Sequence, residues 1–268
     1  MKTLNAEQIS RFRADGYLVV RGVFAGEEIA DLAACYDEIA ALATRTGLPE
    51  QYLQASGCEV HIHFQPPEGS GLQETMKYLR KIQWPAMIHA GFERIRTSPR
   101  FLALLEPLLG DSLKQYINQI NFKMPGGDIE FPWHQDVRPT PAFRDQVDNY
   151  VQTIIAVDDA TAENGCLHII PGTHKLGDLD LRQYATDEER QQVLEVHRAV
   201  PCAARAGDVI LFTSCSVHGS QSNRTQRPRR SYINGFVRAS SCDVGKWAFL
   251  EGRPVPITSD HDYADIRC

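Results

Sequence analysis

The chain has 268 residues, 43% of them hydrophobic, with 28 basic against 34 acidic side chains and a net charge of −6. That length suits one large β-rich domain, and the apolar share can fill a packed core. The acidic balance disfavours nucleic acid and an anionic membrane surface as partners. Seven cysteines stand at positions 35, 58, 166, 202, 215, 242 and 268, an odd count with no close pair of the zinc-ribbon or redox kind. They read as reduced thiols of a cytoplasmic protein. The N-terminus lacks a basic segment followed by an apolar one, and no apolar run approaches the ~20 residues that cross a bilayer. A soluble monomer or homodimer, without nucleic-acid or membrane partners, is the expectation.

In chain order, Asn5 and Gln8 resemble a capping box for a first helix that Gly16 stops. Tyr17 to Val20 predict a short strand. The helical spacing of Ile29, Leu32, Ala33, Tyr36, Ile39 and Ala40 predicts a helix from Glu27 to about Thr44. Gly47 to Gly71, rich in Gly, Pro and polar residues, reads as a long loop that can act as a lid. Ser98-Pro99 opens another helix, which Gly110 ends. From Leu113 onward the pattern changes to short β-rich segments at 113–123, 129–133, 149–157, 166–170, 208–213 and 231–238. Turn signals such as Pro125-Gly126-Gly127 and Pro171-Gly172 separate them. Asp187 to Val196 reads as an inserted helix. The predicted fold is mainly β: a double-stranded β-helix (jelly roll) core over about 111–240, buttressed by N-terminal helices over about 1–110. No linker or repeat divides residues 1–268, which are expected to form a single domain.

Within that pattern stand His134, Asp136 and, about eighty residues on, His218 in the phrase His218-Gly219-Ser220. Two imidazoles and one carboxylate are the set that holds a non-haem ferrous ion on one face and leaves the other face open. Arg229 follows within reach of the same metal, and its fork of donors suits the far carboxylate of a diacid. Each motif alone is common; their order and spacing give the set its force. His134 and Asp136, two apart after an apolar strand, can point to one face. His218 follows Val209-Ile210-Leu211-Phe212, so strands of two opposing sheets are expected to deliver the three ligands.

The chain resembles the phytanoyl-CoA dioxygenase family of Fe(II)- and 2-oxoglutarate-dependent oxygenases. The residues that carry the resemblance are Asp15-Gly16-Tyr17-Leu18-Val19-Val20, Asn121-Phe122-Lys123 with Pro125-Gly126, Trp133-His134-Gln135-Asp136, Asn164-Gly165-Cys166-Leu167 leading to Pro171-Gly172-Thr173-His174-Lys175, and His218-Gly219-Ser220 with Arg229. The resemblance implies iron on His134, Asp136 and His218. It also implies 2-oxoglutarate paired with Arg229 and Ser220, with Asn121 and Gln119 reaching it from a neighbouring strand. The implied reaction uses dioxygen, releases succinate and carbon dioxide, and hydroxylates an aliphatic carbon of a small molecule, with a secondary-metabolite intermediate as the preferred class. Asp136 argues against halogenation, since related halogenases carry a small residue there.

Trp133 and Thr153 are expected to line the substrate pocket, with Arg138, Pro139 and Phe143 facing it. Lys77 and Arg80, read as part of the helical region, are candidates for a second cation. His168 and His174 read as structural, and His61, His63 and His89 lie in no motif. Two other readings compete: a binding or regulatory β-helix without turnover, and a zinc hydrolase on the same three ligands. The second lacks a general base at helical spacing, as His-Glu-x-x-His would supply.

Overall fold

The computed structural model describes residues 2–44, 50–55, 58–65, 76–137 and 145–257. In chain order these form α1 (Ala6–Asp15), β1 (Tyr17–Val20), α2 (Gly26–Thr44), β2 (Glu50–Ala55), β3 (Cys58–Phe64), β4 (Leu79–Gln83), α3 (Ala90–Arg96), α4 (Pro99–Leu109), β5 (Leu113–Lys123), β6 (Phe131–His134), α5 (Gln146–Asn149), β7 (Tyr150–Ala156), β8 (His168–Ile169), α6 (Asp187–Val193), β9 (Val200–Pro201), β10 (Val209–Phe212), β11 (His218–Ser220), β12 (Arg229–Arg238), β13 (Lys246–Leu250) and β14 (Arg253–Pro254).

Local chemistry sets the helix ends. Asn5 accepts from the Gln8 amide while the Gln8 side chain accepts from the Asn5 amide, closing the expected capping box of α1. Gly16 ends that helix at φ +81°, and a Cβ there would collide with His174 and Ser216. Ser98 caps α4 with Pro99 in its first turn, and Gly110 follows its last residue. Thr186 and Glu189 form a second capping box at α6.

The strands make two antiparallel sheets. The larger runs β1-β10-β7-β12-β5-β4-β3-β2, with β13 attached to β5 and β14 to β13; the smaller runs β6-β11-β8-β9. Alternation sorts the larger sheet's side chains to two faces. Val209, Leu211, Val151, Ile155, Tyr232 and Phe236 pack with Leu32, Tyr36, Phe92, Phe101 and Leu105 of the helices. Ile210, Phe212, Ile154 and Ile233 face inward and pack with Ile169, Cys166 and Cys202. The helices bury one face of the sheet, and the other face closes against the smaller sheet. This is the mainly β, helix-buttressed jelly roll that the sequence predicts.

Two expectations need correction. The described residues of the Gly47–Gly71 segment are not loop: β2 and β3 form a hairpin that extends the larger sheet through β4. Val60, Ile62 and Phe64 alternate inward to the helical core, and the interleaved His61 and His63 mask that period in the sequence. Residues 45–49, 56–57 and 66–71 of that segment lie outside the described residues. The N-terminal 110 residues are therefore not a purely helical buttress, because β1 and β2–β4 contribute both ends of the larger sheet. Among the described cysteines, 35, 166, 202, 215 and 242 are buried free thiols, as expected. No helix of the described residues is long and apolar enough to cross a membrane.

Candidate metal centre

β6 and β11 pair antiparallel with His134 directly opposite His218. Both imidazoles thus come from adjacent strands of the smaller sheet, not from opposing sheets as expected. The physical reason is register: in an antiparallel pair, opposite residues project on the same face, so the sheet brings the rings to a centroid distance of 4.1 Å. Asp136 lies two residues past His134, fixed by its amide donating to the Ser214 carbonyl at 2.8 Å.

Backbone carbonyls orient both rings. Nδ1 of His134 lies 2.7 Å from the Pro132 carbonyl, and Nδ1 of His218 lies 2.9 Å from the Ser216 carbonyl. A carbonyl only accepts, so each Nδ1 carries the proton and each Nε2 offers its lone pair to the site. Burial, then the neighbouring His134, pushes the His218 pKa down to about 4, which keeps that lone pair free at neutral pH. Asp136 Oδ1 is 3.8 Å from His134 Nε2, and Oδ2 is 3.6 Å from His218 Nε2. The three ligand atoms lie within 4.8 Å of one another, and Asp136 Oδ2 is buried with no hydrogen-bond partner. A buried carboxylate oxygen without a donor is costly unless a cation serves it. The residues fit a divalent metal, and among the described residues no other His, Cys, Asp and Glu group assembles this way.

A cavity of about 270 Å³ opens beside the triad, between the sheets. Strand register explains its floor. Lys81, Asn121, Ser231 and Ala156 stand in one cross-strand row; Gln83, Gln119, Ile233, Ile154 and Ile210 stand in the next inward-facing row. Both rows line the cavity. Gln119 and Asn121 therefore share a face as expected, with Gln119 Nε2 donating to Asn121 Oδ1 at 2.6 Å. Thr153 does not line the cavity. It sits between Gln152 and Ile154, so alternation turns it to the helical face, where its hydroxyl donates to the Asn234 carbonyl at 2.9 Å.

Arg229 opens β12 and reaches the cavity with only 7% of its surface exposed. Its Nη1 donates to Ser231 Oγ at 3.4 Å, and its Nε is buried without a partner. Burial lowers its pKa to about 10, which the nearby Cys166, Tyr36 and Asp158 offset only in part, and no carboxylate forms an ion pair with it among the described residues. A guanidinium kept so suits an anion that the described residues do not supply. Its neighbours behave differently. Arg230 is tied to Asp158 and Asp37, while Arg224 and Arg227 are exposed. Ser220 also lines the cavity, and its carbonyl accepts from Lys123 Nζ at 3.2 Å. Lys123 is fully buried, and burial, then Arg229, lowers its pKa to about 6.

Trp133 lines a second cavity of about 220 Å³, which shares Arg80, Phe131 and His134 with the first. Arg80 belongs to strand β4, not to the helical region as expected, and lines both spaces, whereas Lys77 stacks on Tyr78 at 4.9 Å. His174 and His168 are structural as expected, bonded to the Arg13 and Cys166 carbonyls. His89 caps α3 through the Gly91 amide. Arg138, Pro139 and Phe143 lie outside the described residues. The sequence reading missed Lys81, Gln83, Gln152 and Ile154; their signal is position opposite or two apart from Asn121 and Ile233 once pairing is known.

Two imidazoles and a carboxylate on one side of a metal, with a buried unpaired guanidinium beside it in a double-stranded β-helix, define the class of non-haem iron oxygenases that use 2-oxoglutarate. The family model described as phytanoyl-CoA dioxygenase (PhyH) matches residues 12–231, and the chain belongs to that family. It is 30% identical over 252 residues to methylphosphonate hydroxylase of Gimesia maris, covering 94% of this chain and 87% of that one. It is 25% identical over 244 residues to a probable alpha-ketoglutarate-dependent hypophosphite dioxygenase of Stutzerimonas stutzeri, covering 88% and 79%. The crystal structure of EctD from S. alaskensis with bound Fe superposes with a TM-score of 0.66 at 25% identity, covering 95% of this chain and 86% of that one. The protein is an iron- and 2-oxoglutarate-dependent dioxygenase.

Proposed function

We propose that this enzyme hydroxylates an aliphatic carbon of a small molecule, with iron(II) on His134, Asp136 and His218. In this reading 2-oxoglutarate lies in the 270 Å³ cavity, its distal carboxylate on Arg229 and Ser220, with Asn121 and Gln119 beside it. When bound, iron with 2-oxoglutarate and dioxygen supplies the oxidation: the keto acid becomes succinate and carbon dioxide, and one oxygen atom enters a C–H bond. The chain's own residues do the rest. Carbonyls of Pro132 and Ser216 hold the imidazoles in the ligating tautomer. Arg229 holds the diacid by one end, and the apolar Ile154, Ile210 and Phe212 exclude water.

The observation that carries this reading is the buried, unpartnered Arg229 Nε beside the triad. The two relatives above are named for small phosphorus oxyacids, which supports a small substrate. Trp133, with Phe131 and Leu181, is placed in the outer cavity to meet the substrate's apolar part. A β-helix that binds without turnover is disfavoured, because the three ligands and the guanidinium are all retained. We place the activity in one catalytic unit over residues 1–268, in a cytoplasmic monomer or homodimer. The test is slow succinate release from 2-oxoglutarate, without substrate, on adding ferrous iron under air. Absence of iron-dependent succinate, with iron bound, would refute catalysis.

A further inference from the structure

The strand β4 holds a residue that the metal centre and the diacid do not use. Opposite β3, Phe64 pairs with Leu79 and His63 with Lys81, so Arg80 is an extra residue on β4. Leu79 and Ile82 are both fully buried, three positions apart, in the helical core. A regular strand would put residues three apart on opposite faces. The bulge removes that conflict and turns Arg80 and Lys81 toward the cavity together, which is what bulges beside binding sites do.

Arg80 reaches the wall that the inner and outer cavities share, next to His134. Its guanidinium carbon stands 4.5 Å over the ring of Phe131, from the opposing sheet, and its Nη1 donates to Gln65 Oε1. Stacking uses the face of a guanidinium and leaves its in-plane N–H rim available for an oxyanion. No carboxylate pairs with it among the described residues. The other arginines of the outer cavity are engaged: Arg182 with Asp178 and Asp180, and Arg190 with the Leu181 and Tyr184 carbonyls. Burial lowers the Arg80 pKa, so an anion brought to it gains more than it would at an exposed arginine.

The two histidines divide the site. The His218 side chain is 6% exposed and that of His134 is 40% exposed, so the triad's accessible side is the His134 side, on the two cavities that Arg80 also lines. With the diacid on Arg229, the space left for the molecule to be oxidised lies between His134, Phe131, Trp133 and Arg80.

We propose that Arg80 determines substrate specificity by receiving the oxyanion head group, a carboxylate or phosphonate, of a small aliphatic substrate whose C–H lies beside His134. This deepens the hydroxylase reading and rests on it. Arg80 grips the end of the substrate remote from the reacting carbon.

The experiment compares wild type, Arg80→Gln and Arg80→Lys. The probes are butyrate, propylphosphonate and uncharged 1-butanol. Under anaerobic conditions the visible absorption of the Fe(II)–2-oxoglutarate complex gives cosubstrate affinity, and its perturbation gives probe affinity. Wild type should bind butyrate or propylphosphonate at least tenfold more tightly than 1-butanol. Arg80→Gln should lose roughly tenfold or more of that preference, since ~1.4 kcal/mol is tenfold, with 2-oxoglutarate affinity within twofold of wild type. Arg80→Lys should keep part of the preference. Whichever of the two anions binds more tightly identifies the head group. Equal binding of charged and neutral probes by wild type overturns the proposal, as does an anion preference unchanged in Arg80→Gln. A tenfold loss of 2-oxoglutarate affinity in that variant overturns it too, by assigning Arg80 to the cosubstrate. Failure of wild type to form the iron complex refutes the hydroxylase reading instead. Quenching of tryptophan fluorescence by the same probes in metal-free protein still reads Arg80 in that case: loss of anion quenching in Arg80→Gln supports the site, and no change refutes it.

Discussion

His134 and His218 face each other across the β6–β11 pair, ring centroids 4.1 Å apart, each ring held by the carbonyl two residues before it. The metal centre is thus a cross-strand pair with one carboxylate added. Replacing either ring leaves two ligands, too few to fix a facial arrangement. His134→Ala and His218→Ala should each abolish turnover and weaken iron binding, measured by isothermal titration under anaerobic conditions. Wild-type iron affinity and activity in both would remove them from the ligand set.

Asp136 supplies the oxygen that the structure leaves unpartnered. Asp136→Gly should lose hydroxylation without gaining halogenation, because a halide also needs its own surrounding donors. Product analysis by mass spectrometry, with chloride present, checks this. Undiminished hydroxylation would exclude the carboxylate from the site.

Arg229→Ala tests the diacid. Removing one partner of a desolvated charge pair typically costs ~2–5 kcal/mol, so the apparent 2-oxoglutarate requirement should rise by roughly 30-fold or more. Iron affinity should stay near wild type. Arg224→Ala and Arg227→Ala remove the same charge from exposed positions and serve as controls. An equal shift in all three would reduce the effect to bulk electrostatics. Arg230→Ala should instead lower stability, since that side chain holds Asp158 and Asp37.

Lys123 predicts a pH dependence. Burial lowers its folded-state pKa to about 6 from an ordinary value of 10.5. Between those values the unfolded chain binds a proton that the folded chain does not, so stability rises with pH across that window. It falls again as pH drops toward 6. Urea unfolding of the metal-free protein at several pH values should show this rise in wild type and a flatter profile in Lys123→Met. Identical profiles would place the Lys123 pKa near its ordinary value in the fold.

The grouping of His134, Asp136 and His218 as candidate ligands was legible because they are close in sequence to strong local signals: Trp133-His134-Gln135-Asp136 after an apolar strand, and His218 shortly after Val209-Ile210-Leu211-Phe212. The helices were legible through their caps. Pairing was not, because it is non-local: nothing within β6 says that β11 is its neighbour. Thr153 shows the cost. Its strand was placed correctly, yet a one-residue change in facing sends the side chain to the helical core and gives the cavity to Gln152 and Ile154. Arg80 was legible as a candidate cation but not its place on a strand facing the cavity, since a bulge breaks the period by which facing is read.

His134, His218 and Ser220 belong to the smaller sheet, with Asp136 two residues beyond its β6, while Arg229, Asn121 and Gln119 belong to the larger one. In the proposed binding mode, a diacid ligated to the metal at one end and held by Arg229 at the other would act as a clasp between the two walls of the roll. Its grip belongs to the folded chain alone, because unfolding separates the walls. By mass action a ligand at 100 times its dissociation constant stabilises such a fold by ~2.7 kcal/mol. On that reading iron and keto acid would stabilise the fold as well as enable the reaction, and their removal would leave a less stable molecule.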